Sequence, residues 1–182
     1  MAKTDLTLQL ERKIYSATHK VGVFGCFEVT IGWFGKERVD YMTYDTKGIW
    51  RCYEIKVSIS DFRSKAKKTF CGHYNYFVLT DKLYEKVKDE IPAHIGVYVG
   101  DRLVKRPRRQ ELLLDEDVLK NSMIRSLSRE TDKLLKSDNP SFVDGMNRRL
   151  NYERKEKERY KQEYRDLLAV VNEKYGREWR YS

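Results

Sequence analysis

The sequence predicts an α/β fold: a central mixed sheet flanked by helices, with an appended C-terminal helical tail. Two observations set the sheet. Apolar residues alternate with period two over residues 21–34 and again over residues 37–58. A third sets the class. From residue 49 to residue 100 strand and helix patterns take turns, an order that builds a partly parallel sheet with helices packed on it.

Residues 4–18 read as a helix because Leu6, Leu10, Ile14 and Ala17 share one face, with Thr4 or Asp5 as the N-cap. Residues 21–34 read as a strand bent at Gly25. Val21, Val23, Phe27, Val29, Ile31 and Trp33 take one face; Phe24, Cys26, Glu28 and Thr30 take the other. Gly35 and Lys36 turn the chain into a hairpin, residues 37–45 against 49–58. A three-residue loop, Thr46-Lys47-Gly48 with Gly48 left-handed, pairs Asp45 with Ile49. In that register Asp40 lies opposite Glu54 on the same face. A slip of one residue would send the two carboxylates to opposite faces.

Residues 61–71 fit a helix capped by Ser60 or Asp61. An apolar strand follows at 74–80, then a short helix at 81–90 ended by Ile91-Pro92. Residues 93–100 form a further strand, DRLVK adds a hairpin partner, and residues 111–135 form one or two helices. The run Ser137-Asp138-Asn139-Pro140-Ser141 closes the main domain, placed at 1–136, and 141–182 is the tail. Residues 153–159, ERKEKER, are charged on every face and cannot lie buried. Beyond them Tyr160, Tyr164, Leu167, Leu168, Val171, Tyr175 and Trp179 recur at helical spacing. The tail is thus a projecting helix whose C-terminal half packs on the body or on another copy.

The 182 residues are 40% hydrophobic, 36% charged and 13% aromatic, enough apolar and aromatic side chain for a packed core. The net charge of +9 favours polyanionic partners, nucleic acid first. Cys26, Cys52 and Cys71 form no C-x-x-C pair, so neither a disulfide framework nor a zinc site is expected. No apolar run approaches the roughly 18 residues that span a bilayer, and the N-terminus lacks a signal-peptide core. A cytoplasmic, reducing location is expected, with no membrane partner. No Walker-type phosphate loop is present, and His19, His73 and His94 form no catalytic set.

Asp40, Glu54 and Lys56 carry the chemistry. Phosphodiester hydrolysis needs a hard divalent cation held by carboxylate oxygens, and a cationic group near the scissile phosphate. Asp40 and Glu54 supply carboxylates, and the Ile55 carbonyl offers a third oxygen. Lys56, two residues after Glu54 on a strand, points the same way. Glu-x-Lys occurs three times in this chain, but the copies at Glu11 and Glu153 lie in polar helical stretches. The copy at Glu54 lies in an apolar strand, where charged residues are disfavoured unless paired or used.

Residues 38–62, RVDYMTYDTKGIWRCYEIKVSISDF, resemble the core of PD-(D/E)XK (restriction-endonuclease-like) proteins. Within that superfamily they are most similar to MmcB-like DNA-repair and Holliday-junction-resolvase-like proteins. Glu54, Lys56, Ser58, Asp61 and Phe62 match the motif, and Val57 replaces a small polar residue. The order of elements agrees over residues 1–110, while the specific letters are confined to 38–62. The resemblance implies a Mg²⁺- or Mn²⁺-dependent endodeoxyribonuclease acting on DNA in repair, recombination or restriction. It also implies a further acid on the first helix, Glu11, for which Glu28 is the rival. By analogy with enzymes that cut both strands, it allows a homodimer formed through the C-terminal helix. Ser58, Arg63, Lys65, Lys67, Lys68, Arg106, Arg108 and Arg109 are the candidate phosphate contacts. A non-catalytic nucleic-acid-binding module and a protein-interaction module are the competing readings.

Overall fold

The computed structural model describes residues 3–33, 35, 37–64 and 69–176. Lys36, Lys65, Lys67, Lys68 and Trp179 lie outside the described residues. The chain runs α1 (Asp5–Thr18), β1 (Val23–Thr30), β2 (Arg38–Asp45), β3 (Trp50–Ile55), α2 (Ile59–Phe62), β4 (Tyr74–Leu79) and α3 (Asp81–Val87). After a 3₁₀ turn at Lys88–Glu90 come β5 (Gly96–Val99), β6 (Arg102–Lys105), α4 (Glu116–Ser137) and α5 (Pro140–Tyr175). The six strands lie in sequence order. Pairing is antiparallel at β1–β2, β2–β3 and β5–β6, and parallel at β3–β4 and β4–β5. This is the mixed sheet that the alternating strand and helix patterns require.

Alternation along the strands gives the sheet two apolar faces. Tyr41, Tyr53, Ile55, Tyr76 and Val78 meet Leu10 and Ile14 of α1 on one face. On the other, Val29, Met42, Trp50 and Cys52 pack with Leu119 and Met123 of α4. Beside them Phe77, Leu79, Val97 and Val99 pack with Leu83 and Val87 of α3. The sheet is therefore covered on both sides, as parallel central strands demand.

The β2–β3 hairpin has the register that its loop dictates: Tyr41 pairs with Tyr53, Met42 with Cys52 and Tyr44 with Trp50. Gly48 takes φ +77°. Asp45 Oδ1 accepts the amides of Lys47 (2.9 Å) and Ile49 (3.1 Å), which locks the loop.

β1 departs from expectation. It ends at Thr30, and Val21 and Trp33, expected on one face with Val29 and Ile31, are exposed while those two are buried. Gly25 stays paired with Thr43, so the ladder runs through it unbroken. The glycine leaves room for Tyr41, since a Cβ there would meet Oη at 2.4 Å. The irregularity lies at Glu28, the one non-glycine residue among those described with positive φ, +57°. Cys26 and Val29, expected on opposite faces, share one core cluster, because the left-handed turn at Glu28 rotates the strand between them.

Of the helix expected over 61–71, Lys65 to Lys68 lie outside the described residues; before them the helix is the single turn of α2, which ends at Phe62 and is capped by Ser58 and not by Ser60 or Asp61. Thr69, Phe70 and Cys71 are not helical. Phe70 packs against Phe77 and Cys71 against Cys52, contacts that tie this segment to two core clusters. The chain divides into compact units 1–130 and 131–182, earlier than the expected boundary at 136. The buried residues of α4 (Leu119, Ser122, Met123 and Ser126) all precede residue 130, so only that half of the helix belongs to the core. The Ser137–Ser141 break instead separates α4 from α5, whose N-cap Asn139 accepts the Phe142 amide at 3.2 Å. No helix of the described residues is long and apolar enough to cross a membrane.

Candidate functional site

Ligand sites of open α/β sheets lie at the carboxyl ends of the parallel strands, and the charged cluster of this protein lies at that end of β3. The β2–β3 ladder closes at Tyr41–Tyr53. At the next position the Asp40 side chain takes over, and its Oδ2 accepts the Ile55 amide at 2.8 Å. Glu54 faces the α4 side of the sheet with Cys52 and Phe77 and is 3% exposed. Lys56 lies just beyond the strand, anchored by its amide to the Val78 carbonyl at 3.0 Å. Its Nζ stands 3.3 Å from Glu54 Oε2, 3.8 Å from Asp40 Oδ2 and 3.8 Å from Asp61 Oδ1.

Burial dominates the electrostatics. It raises Glu54 to about 7, with the Asp40 carboxylate adding to the shift and Lys56 opposing it. Burial raises Asp40 as well, against the pull of Lys56 and of the Ile55 amide. Desolvation works against the charge on Lys56, but Asp40, Glu54 and Asp61 outweigh it and leave its pKa raised. Glu54 Oε1 is buried without a hydrogen-bond partner of good geometry, although the Thr69 backbone acts on the carboxyl to lower its pKa. A buried acceptor left unmade is costly, and it is the kind of oxygen a hard cation takes. Among the described residues no three His, Cys, Asp or Glu side chains gather as a ligand set. Asp40, Glu54 and Asp61 each approach Lys56 without gathering into such a set. Of Ile55, it is the amide that the structure shows held by a carboxylate.

Glu11 and Glu28 meet in a second cluster. Lys3 Nζ contacts both, at 2.9 Å from Glu28, and Arg38 reaches Glu28 at 2.6 Å. Between the pairs Phe27–Tyr41 and Val29–Val39, Glu28 stands opposite Asp40, and its charge acts to raise the Asp40 pKa. Of the two rival acids, Glu28 is the one electrostatically tied to Asp40.

The candidate phosphate contacts scatter. Ser58 is the cap of α2, its hydroxyl accepting the Asp61 amide at 3.2 Å. Arg63 is held by two bonds to Glu90, at 2.6 and 3.1 Å. Arg106, Arg108 and Arg109 are exposed. However, their segment bonds to the carbonyls of His94 and His73, ahead of β5 and β4, through the amides of Arg108 and Gln110. That is the opposite end of the parallel strands from Lys56, about 20 Å away for a six-residue strand. Lys65, Lys67 and Lys68 lie outside the described residues. Tyr76 is core, stacked on Tyr53 at 4.9 Å.

Sequence reasoning missed Asp61 as a member of the cluster, and it missed Lys3 and Arg38. The signal for Asp61 was present: it opens the turn directly after the Glu54–Lys56 strand. Also missed was a hollow of ≈170 Å³ lined by Lys20, Thr43, Arg51, Tyr53, Tyr76 and Tyr98, among others. It lies on the α1 face, across the sheet from Glu54.

Fold and site together define an α/β protein with a buried Asp–Glu–Lys constellation at the carboxyl end of its central strand. Neither a protein-family model nor a curated protein matches the chain. Among solved structures, a protein of unknown function from Silicibacter pomeroyi superposes with a TM-score of 0.55 at 17% identity. The match covers 75% of this chain and 92% of that one. At that identity the likeness concerns the fold alone.

Proposed function

We propose that this protein is a metal-dependent nuclease of the PD-(D/E)XK type that hydrolyses DNA phosphodiester bonds. The observation that carries the proposal is the convergence of Asp40, Glu54 and Lys56 around a buried carboxylate oxygen that lacks a hydrogen bond of good geometry. Structural ion pairs seldom leave such an oxygen unused. The surplus positive charge of the chain suits a polyanionic substrate.

Asp40 and Glu54 would hold the Mg²⁺ or Mn²⁺ ion. When bound, the ion lowers the pKa of a water and offsets phosphate charge. Lys56 supplies a fixed positive charge that desolvation makes stronger than it would be in water. Its Nζ, drawn toward both carboxylates, is placed to orient a nucleophile or to meet developing negative charge on a phosphoryl oxygen. The Ile55 amide fixes the Asp40 carboxylate, so the site needs little rearrangement.

A second reading, a nucleic-acid-binding module without cleavage, draws on one observation. Lys56 is already ion-paired with three carboxylates, a balanced arrangement that can stand as structure alone. The test is incubation of the full chain with supercoiled, linear and branched DNA in Mg²⁺ or Mn²⁺, beside Lys56→Ala and an EDTA control. Metal-dependent cutting that disappears in the variant supports the nuclease. Binding without cutting by the folded wild type supports the module.

A further inference from the structure

Helix α5 carries a seam of exposed apolar side chains. Val143, Met146, Leu150, Tyr160, Tyr164 and Leu167 are 37–63% exposed. They recur at alternating intervals of three and four once Glu153 and Lys157 are counted in the same row. That is the a/d spacing of a coiled coil, sustained over about 36 Å of helix. A long helix owes its stability in water mainly to packing of its apolar face, so this seam calls for a partner.

We infer that the seam pairs with its own copy, antiparallel, about a two-fold axis at Lys155. The charges choose the partner and its direction. In an antiparallel pair each a position meets a d position of the partner. Glu153 then faces Lys157 of the partner subunit, and the same contact recurs by symmetry. Every other layer is equidistant from Lys155: Leu150 meets Tyr160, Met146 meets Tyr164, and Val143 meets Leu167. On the flank Arg149 comes opposite Glu163. In a parallel pair Glu153 would meet Glu153 and Lys157 would meet Lys157 inside the seam, which buries like charges together. Two like-charged flank contacts, Arg154 and Glu156 each with its own copy, fall near the axis of the antiparallel pair. Glu156 is compensated by Arg159 of its own helix at 2.9 Å. The inference rests on α5 alone and does not depend on the proposed activity.

The test uses the full chain. Sedimentation equilibrium is run on the wild type, Lys157→Glu, Glu153→Lys and the variant carrying both changes. Thermal melting of each confirms a folded body. The wild type is expected to dimerise. Each single change weakens the dimer at least tenfold, because it sets like charges face to face in both central layers. The double change restores the dimer, since the opposed pair is rebuilt with its signs exchanged. A monomeric wild type overturns the inference, and so does a dimer indifferent to the single changes. A Val143→Cys variant adds a directional check. Its cysteine stays free in the antiparallel pair, whereas an oxidised cross-linked dimer demonstrates the parallel arrangement and refutes the proposal.

Discussion

Asp40 Oδ2 accepts the Ile55 amide at 2.8 Å, at the point where the β2–β3 backbone ladder has closed. A side chain thus stands in for a strand carbonyl. Asp40 has two roles that a pair of substitutions separates. Asp40→Asn keeps an acceptor and loses the charge; Asp40→Ala loses both. Urea unfolding in EDTA is expected to show Asp40→Ala less stable by about 1–3 kcal/mol, the cost of a buried amide left unmade. Asp40→Asn is expected to fall within about 1 kcal/mol of wild type. DNA cleavage is lost in both. Equal destabilisation by the two would show that the hydrogen bond is not what holds the strand ends.

Glu54 makes the metal-free protein sensitive to pH in a defined direction. Its folded pKa, about 7, lies above the ordinary 4.5 because burial and Asp40 disfavour its charge. Between those values the folded state holds a proton that the unfolded state has released. Its contribution is therefore fully present below about pH 4.5 and is lost as pH rises through about 7. Burial shifts Asp40 in the same direction. Glu54→Gln removes this dependence. At pH 8 in EDTA it is expected to be more stable than wild type by about 1–3 kcal/mol while inactive in cleavage. Chemical unfolding at pH 5, 6, 7 and 8 checks this. A wild type whose stability holds level across that range, with the variant no more stable at pH 8, would contradict it.

The core of the site was legible because one local feature set its geometry. The Thr46-Lys47-Gly48 loop has one comfortable form, with Gly48 left-handed, and that form fixes which residues oppose each other along the hairpin. The first helix, the helix after β4 and the positions of the strands were legible from periodicity. The rest depended on contacts that periodicity does not encode. The left-handed turn at Glu28 has no glycine to announce it. The segment 61–71 has helix-like spacing, but Phe70 and Cys71 are drawn to different core clusters and the helix stops at one turn. Arg106, Arg108 and Arg109 were read as candidate phosphate contacts, and sequence spacing did not say where they lie relative to Lys56. Pairing of their segment with His94 and His73 carries them to the other end of the sheet.

Glu28 combines a strained backbone with a carboxylate opposite Asp40, so the choice of substitution matters. A non-glycine residue in the left-handed region costs about 1 kcal/mol. Glu28→Gly relieves that strain and offsets the loss of the part-exposed pairs with Arg38 and Lys3, each worth little. Its stability is expected to equal or exceed that of wild type, whereas Glu28→Val, β-branched at the same φ, falls by more than about 1 kcal/mol. In cleavage, Glu28→Gln is expected to lose about tenfold and Glu11→Gln less, because the charge of Glu28 reaches Asp40. A larger loss in Glu11→Gln would reverse the assignment of the further acid.

Lys56 distinguishes a metal centre from a structural ion pair. Its ammonium stands 3.3 Å from Glu54 Oε2 and 3.8 Å from Asp40 Oδ2, so it competes with any cation for the same carboxylates. If those carboxylates hold a divalent ion, the wild type gains stability from Mg²⁺ or from Ca²⁺, used here as a cation that does not turn over DNA. At a concentration tenfold above its dissociation constant the gain is about 1.4 kcal/mol, or about 3–6 °C in melting temperature. Lys56→Ala removes the competitor. It should show a larger rise with the same ion while losing cleavage by about 10²-fold or more. Glu54→Gln should show little rise. Melting curves of the three proteins across a Ca²⁺ titration read all of this directly. A wild type that does not respond, or a response that survives in Glu54→Gln, would place the ion elsewhere and leave Asp40, Glu54 and Lys56 as a buried charge network of the fold.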